Sequence, residues 1–180
     1  MLSCLMDAKE GRYVSIIDIP GDFMHADMKY EVNMKLEGTM ANIFANIHPQ
    51  LYEEYVTMEN GKNILYVRLN KSLYGTVQAA LLFYQKLTGK LKEWGFELNT
   101  YYTCVANKTI YGKQCTILWC VDDLDISHVD SKVVESIIKL FDEVFGTYVP
   151  LTATQLNIYD CLGMVIYYTT QVKVIFNMFD

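Results

Sequence analysis

Apolar and polar positions along the chain follow two periods, and their order sketches the fold. Tyr13–Ile19 (YVSIIDI) is an apolar, β-branched run stopped by Pro20-Gly21, the signature of a buried strand. The segment Met24–Tyr30 is mixed, and Glu31–Leu36 alternates as a short strand does. Thr39–Ile47 and Pro49–Val56 read as two short helical pieces, with Pro49 suited to an early helical position. Asn60-Gly61 marks a turn, and Lys62–Leu69 (KNILYVRL) alternates as a strand. The strongest helical period spans Gly75–Glu93, where Val77, Leu81, Tyr84, Leu87, Leu91 and Trp94 share one face and Gly95 ends the helix. Two extended runs follow, Thr103–Ile110 and Cys115–Val121, joined by Tyr111-Gly112-Lys113. Leu124–His128 adds a short extended piece. Asp130–Phe145 is a second amphipathic helix, capped by Asp130 or Ser131 and closed by Gly146. Its apolar face holds Val133, Val134, Ile137, Ile138, Phe141 and Phe145. Tyr159–Phe176 predicts two strands joined around Thr169-Thr170-Gln171. Antiparallel strands with two long helices define an α+β class, in which both main helices pack on one face of the sheet as in the ferredoxin-like split βαβ plan.

Composition agrees with a single globular domain over residues 1–180: 52% of residues are hydrophobic and 20% charged. Disorder is excluded, since it requires low hydrophobicity and high charge. No apolar run approaches the ~18 residues of a membrane helix, and the N-terminus has no basic, apolar leader pattern, so no membrane partner is expected. The net charge of −6 argues at first against a protein that coats nucleic acid. The five cysteines, Cys4, Cys104, Cys115, Cys120 and Cys161, show no zinc spacing, and the last four sit in apolar runs. They read as buried, reduced thiols of an intracellular protein. His25, His48 and His128 are scattered and suggest no metal site.

The carboxylates carry the sharpest chemical signal. Asp18 ends one apolar strand, and Asp122-Asp123 stands between the apolar runs CTILWCV and Leu124–Ile126. Burying an unpaired carboxylate costs several kcal/mol, so such a pair needs an exposed turn or a neutralising cation. Mg²⁺ takes oxygen ligands and usually only one or two protein carboxylates plus phosphates. An ordinary polar hairpin turn is the competing explanation, because Asp is common in turns.

Four motifs in order now resemble a known family. Val121-Asp122-Asp123-Leu124 resembles the VDD signature of reverse transcriptases, and Asp18-Ile19-Pro20-Gly21-Asp22-Phe23 their upstream motif, an Asp followed five residues later by an aromatic. Lys71–Ala79 (KSLYGTVQA) is similar to the KSLYGLKQA segment of Ty1/copia-type retrotransposon polymerases, and Leu162–Ile166 (LGMVI) to the strand that follows. The DIPGDFMHADM and QAALLFY variants look closest to copia-like elements of algae and related protists. The resemblance covers nearly the whole chain and implies a reverse-transcriptase palm carrying out two-metal transfer of a nucleotide from dNTP to a primer 3′-hydroxyl. Carried over, Asp18 and Asp122 are direct ligands of two Mg²⁺ ions (Mn²⁺ as a substitute), Asp123 is the adjacent acidic partner, and the Ile19 carbonyl is a further oxygen ligand. Phe23 matches the steric gate against a 2′-hydroxyl. Tyr74 and Gly75 match the segment under the incoming nucleotide, and Gln78 a template-side contact. Implied partners are RNA or DNA template-primer and dNTP. The implied settings are cytoplasm, virus-like particle or nucleus.

The departures are informative. The family's QAPRAWY reads Gln78–Tyr84 QAALLFY here, Cys120 replaces a Tyr before VDD, and Asp22 adds charge where a small or apolar residue is usual. About 17 residues precede Asp18, so the basic fingers, most of a thumb and an RNase H domain are expected to be absent. Such a palm would be inactive alone, with apolar surface exposed for self-association. Two other readings are a non-catalytic transposon remnant or protein-interaction module, and an RNA-binding ferredoxin-like module. The second would need aromatic and basic residues on its central strands, where this chain has Asp18, Asp122 and Asp123. Residues 91–180 hold six basic and eleven acidic side chains. Part of that acidity is the metal site itself.

Overall fold

The computed structural model describes residues 2–120, 123–154, 158–161, 164–169 and 173–178. The chain divides into two compact units, residues 1–22 with 83–180, and residues 23–82.

The elements run α1 (Leu2–Glu10), β1 (Tyr13–Asp18), β2 (Asn33–Glu37), α2 (Thr39–Ile47), α3 (Pro49–Tyr52), β3 (Thr57–Glu59) and β4 (Lys62–Arg68). Then come α4 (Ala79–Glu93), β5 (Glu97–Leu98), β6 (Val105–Ile110), β7 (Lys113–Cys120), β8 (Asp123–His128) and α5 (Ser131–Phe145). The tail holds β9 (Thr152–Thr154), β10 (Ile158–Cys161), β11 (Met164–Thr169) and β12 (Lys173–Met178).

The larger unit is organised by an antiparallel six-stranded sheet in the order β5-β6-β7-β8-β1-β9. Register assigns its faces, since paired residues share a face and successive residues alternate. Ile17 pairs with Leu124 and Leu124 with Trp119, while Ser15, Ile126 and Ile117 fall in the next row of the same face. This face is buried under α4 and α5. Tyr84 of α4 meets Trp119 at 6.4 Å between ring centroids, Phe83 meets Phe145 at 6.2 Å, and Trp94 meets Phe141 at 5.0 Å edge-to-face. The two main helices thus share one face, as the sequence pattern predicts. Asp130 is the N-cap of α5, its carboxylate accepting from the Lys132 N–H at 2.9 Å.

Several expectations change. Helix α1 was not anticipated, because its polar and apolar residues are evenly mixed. Its Cys4 and Asp7 are buried, and Asp7 lies 3.8 Å from the Arg12 guanidinium. Helix α4 starts at Ala79 rather than Gly75: Gly75 has φ +89°, outside the helical region. The start is a turn held by the Thr76 N–H and hydroxyl on the Leu73 carbonyl. The buried face of α4 is correspondingly rotated to Ala79, Leu82, Phe83, Leu87 and Leu91, leaving Leu81 exposed and Val77, before the helix, 95% exposed. The tail forms three antiparallel strands, β10-β11-β12, not two. Leu162 and Gly163 of the LGMVI motif lie outside the described residues. Cys104 is exposed rather than buried, while Cys4 and Cys115 are buried. Burial pushes the Cys115 thiol up to about 11.

The smaller unit is built on a three-stranded sheet, β2-β4-β3, whose β3–β4 turn is Asn60-Gly61. Leu36, Ala41 and Leu65 form its core with Met34, Phe44, Tyr52, Val56 and Val67 against them. Among the described residues, no helix is long and apolar enough to cross a membrane.

Candidate functional site

The β1–β8 ladder places Asp18 directly opposite Asp123. Both are half-buried and share a face with Asp125 and Ser127, the face opposite α4 and α5. β8 reads DLDISH, so the pleat sends Asp123, Asp125 and Ser127 one way and Leu124, Ile126 and His128 the other. Asp123 also pairs with Cys120 across the β7–β8 hairpin. Asp123 is therefore the first residue of β8, where the hairpin enters the ladder. Asp122 lies outside the described residues, as does Val121.

Like charges directly opposite on a sheet are destabilising. A hard divalent cation would remove that cost, and carboxylate oxygens are the donors it takes. The pair offers oxygen donors of the kind a divalent cation takes. Among the described residues, no group of three or more His, Cys, Asp or Glu is gathered to hold a metal. Two residues along the same face, Asp125 has its carboxyl pushed up to about 7, by burial first and then by the charge of Asp7. Sequence reasoning singled out neither Asp125 nor Asp7. Neither lies in a motif, and burial is the property that marks them. Ile19, whose carbonyl was the further candidate ligand, has its side chain in the core.

In the smaller unit, Phe23 lies in a 3₁₀ turn (Asp22–His25) and is buried. Its ring centroid is 5.6 Å from that of Tyr74, tilted by 35°. A backbone clasp explains the approach: Ser72 N–H donates to the Ala26 carbonyl at 2.9 Å and Met28 N–H to Asn70 at 3.0 Å. Asp27 and Lys71 form an isolated bridge and a side-chain ion pair. Lys71 is thus committed to Asp27. Tyr74 stays 84% exposed. Gly75 takes the positive φ that follows, and Gln78 is half-buried, its carbonyl accepting the Leu82 N–H at 2.9 Å. The structure therefore joins Phe23 to Tyr74 in one unit and Asp18 to Asp123 in the other. Asp22, which adds charge where the family has a small or apolar residue, is itself buried.

The larger unit thus combines an antiparallel sheet, two helices on one face and Asp18 opposite Asp123 at adjacent strand ends. A family model described as reverse transcriptase (RNA-dependent DNA polymerase) matches residues 1–159, and the chain belongs to that family. Among solved structures it is similar to apo telomerase from Candida tropicalis, with TM-score 0.51 and 12% identity over 96% of this chain and 35% of that one. The same telomerase truncated from its C-terminal domain gives TM-score 0.51 and 13% identity, over 98% of this chain and 38% of that one. At these identities the likeness is one of fold, and the chain spans about a third of the length of the telomerase chains it matches. No curated protein matches the chain.

Proposed function

We propose that the chain is the palm of a Ty1/copia-type retrotransposon reverse transcriptase, acting with further segments to add nucleotides to a primer 3′-hydroxyl. The observation that carries this reading is the cross-strand pairing of Asp18 with Asp123. Asp18 and Asp122 would hold two Mg²⁺ ions, with Mn²⁺ as a substitute, and Asp123 would add negative charge beside them. When bound, the metals would activate the primer hydroxyl and neutralise the triphosphate and the departing pyrophosphate. The chain's own work is to hold its carboxylates at adjacent strand ends and to hold Phe23 against Tyr74, the pair proposed to select a deoxyribose and bed the incoming nucleotide. RNA or DNA template-primer and dNTP are the proposed partners, in an intracellular setting.

The test is metal binding followed by calorimetry or by Mn²⁺ relaxation of nuclear spins. Wild type should bind, Asp18→Asn should weaken binding at least about tenfold, and the isolated 180 residues should give no primer extension. Binding unaffected by Asp18→Asn would refute the site. Robust, Asp122-dependent incorporation by the isolated chain would refute its proposed need for further segments.

A second reading rests on exposed apolar side chains in the smaller unit. Met40, Ile43, Ile47 and Leu51 recur at helical spacing along α2 and α3, with Tyr55 and Met58 beyond, all exposed. They support self-association or an interaction module, which light scattering tests; a clean monomer at high concentration would count against it.

A further inference from the structure

The run between Gly38 and Glu53 holds no Asp, Glu, Lys or Arg, in a chain in which 20% of residues are charged. It forms α2 and α3 of the smaller unit. Its inward side chains have partners: Ala41, Phe44 and Tyr52 belong to the core, with the Phe44 and Tyr52 rings 6.0 Å apart. Its outward side chains do not face the core. Met40, Ile43 and Ile47 follow at spacings of three and four, within about 60° of helix arc, and are 44–63% exposed. Leu51 of α3, Tyr55 and Met58 of β3 continue the exposed apolar surface. Met58 stands on the sheet face that α2 covers, because it pairs with Asn63, whose Nδ2 donates to Asn42 Oδ1 of α2 at 2.7 Å.

Area, spacing and charge together narrow what covers these residues. Taking ~200 Å² for a large side chain, their exposures amount to on the order of 700 Å². A standard interface takes about 800 Å² from each partner, so the patch is nearly of that size. Spacings of three and four along α2 are those of a coiled-coil seam, which is complemented by another helix. Helices that lie on membranes carry Lys and Arg beside the apolar face, and α2 and α3 carry none. A strongly charged partner finds no opposite charge on them either. The nearby charges of Lys35, Glu37, Glu59 and Lys62 are bridged to one another within the unit. A second α2 has matching spacing and, like the first, no charge, so no like charges meet across a twofold axis. An antiparallel crossing opposes the two helix dipoles and sets the Glu53-Glu54 pairs that follow α3 at opposite ends.

We propose that the chain forms a twofold-symmetric dimer in which α2 packs antiparallel against α2 of a second copy. Ile43 meets its own counterpart near the axis, and Met40 of each copy lies beside Ile47 of the other. The dimer rests on the reading of this face as a site of self-association, and it gives that reading an occupant and a geometry.

The experiment is sedimentation equilibrium of the 180-residue protein from micromolar to millimolar concentration. Wild type should show a reversible monomer–dimer equilibrium. Ile43→Glu and Ile43→Lys each place like charges at the axis, and each should raise the dimer dissociation constant about a hundredfold or more. An equimolar mixture of these two variants should dimerise again, because Glu then meets Lys. That rescue requires a residue that touches its own counterpart, and unfolding cannot produce it. Met40→Lys mixed with Ile47→Glu should show the same rescue, and carries the test should the Ile43 variants not fold. A dimer that survives both Ile43 substitutions, or a mixture that stays monomeric, would overturn the α2 pairing and leave self-association through another face standing. A wild type that is monomeric at millimolar concentration would overturn both. Binding of the monomer to phosphatidylserine vesicles, lost in Ile43→Glu, would assign the face to lipid and overturn the dimer.

Discussion

Replacing Arg12 with Met tests how helix α1 is held to the sheet. The Arg12 side chain is 5% exposed and is shared between Thr116, Ser127, Glu10 and Asp7. Asp7 has its carboxyl held above the usual 3.8, chiefly by burial; hydrogen bonding to Ser127, the Arg12 charge and Ser3 pull it back, and Glu10 pushes it up. Removing one partner from a buried charge pair typically costs 3–5 kcal/mol, about that loss being expected here at pH 8. For a chain of this size each kcal/mol lowers the melting temperature by about 2–4 °C, so a drop near 12 °C is expected. The sign with pH follows from Asp7. A carboxyl whose pKa is raised on folding gives its full contribution below 3.8 and loses it as pH climbs through the folded value. Without Arg12 that folded value rises further, so the penalty of Arg12→Met should be greatest at pH 8 and shrink toward pH 4. Adding Asp7→Asn should recover at least about 1 kcal/mol of the loss at pH 8, measured by urea unfolding as a double-mutant cycle. A penalty that is equal at pH 4 and pH 8, or an additive double mutant, would refute the coupling.

Three further outcomes are expected. Asp125→Leu should stabilise the fold by roughly 1–3 kcal/mol at pH 8, since it removes a buried carboxylate flanked in register by Ile16 and Leu118; a lower melting temperature would count against this. Phe141→Ala should cost about 3–5 kcal/mol in urea unfolding, because Phe141 is fully buried between Trp94 and Phe145; a loss below about 1 kcal/mol would mean that the helix layer is not packed as described. Gly146→Ala should destabilise the end of α5 by about 1–3 kcal/mol, detected as faster amide exchange in its last turn. A Cβ there would lie 2.6 Å from the Asp142 carbonyl oxygen that accepts the Gly146 N–H.

Local signals account for what was legible. Helix α5 follows from Asp130 and a clean apolar stripe, since cap and periodicity agree. The start of α4 was misread because Val77 and Leu81 match the helical period, while the backbone at Gly75 requires a turn. Periodicity does not register a positive φ. Strand β9 is three residues long and α1 has no stripe; both owe their form to partners far along the chain, β1 for one and Ser127 and Thr116 beside Arg12 for the other. Asp7 was invisible for the same reason. Its importance lies in burial, and neither its neighbours in sequence nor its spacing encodes that.

The two sheet faces also change what the chain's acidity means. One face of β8 and β1 carries Leu124, Ile126 and Ile17 against two helices, which anchors the strands. With that face fixed, the pleat leaves Asp18, Asp123 and Asp125 on the other, and a one-residue slip would bury them beneath α4 and α5. The apolar core thus sets the register that holds the acidic residues side by side. Packing energy keeps Asp18 opposite Asp123 in the ladder.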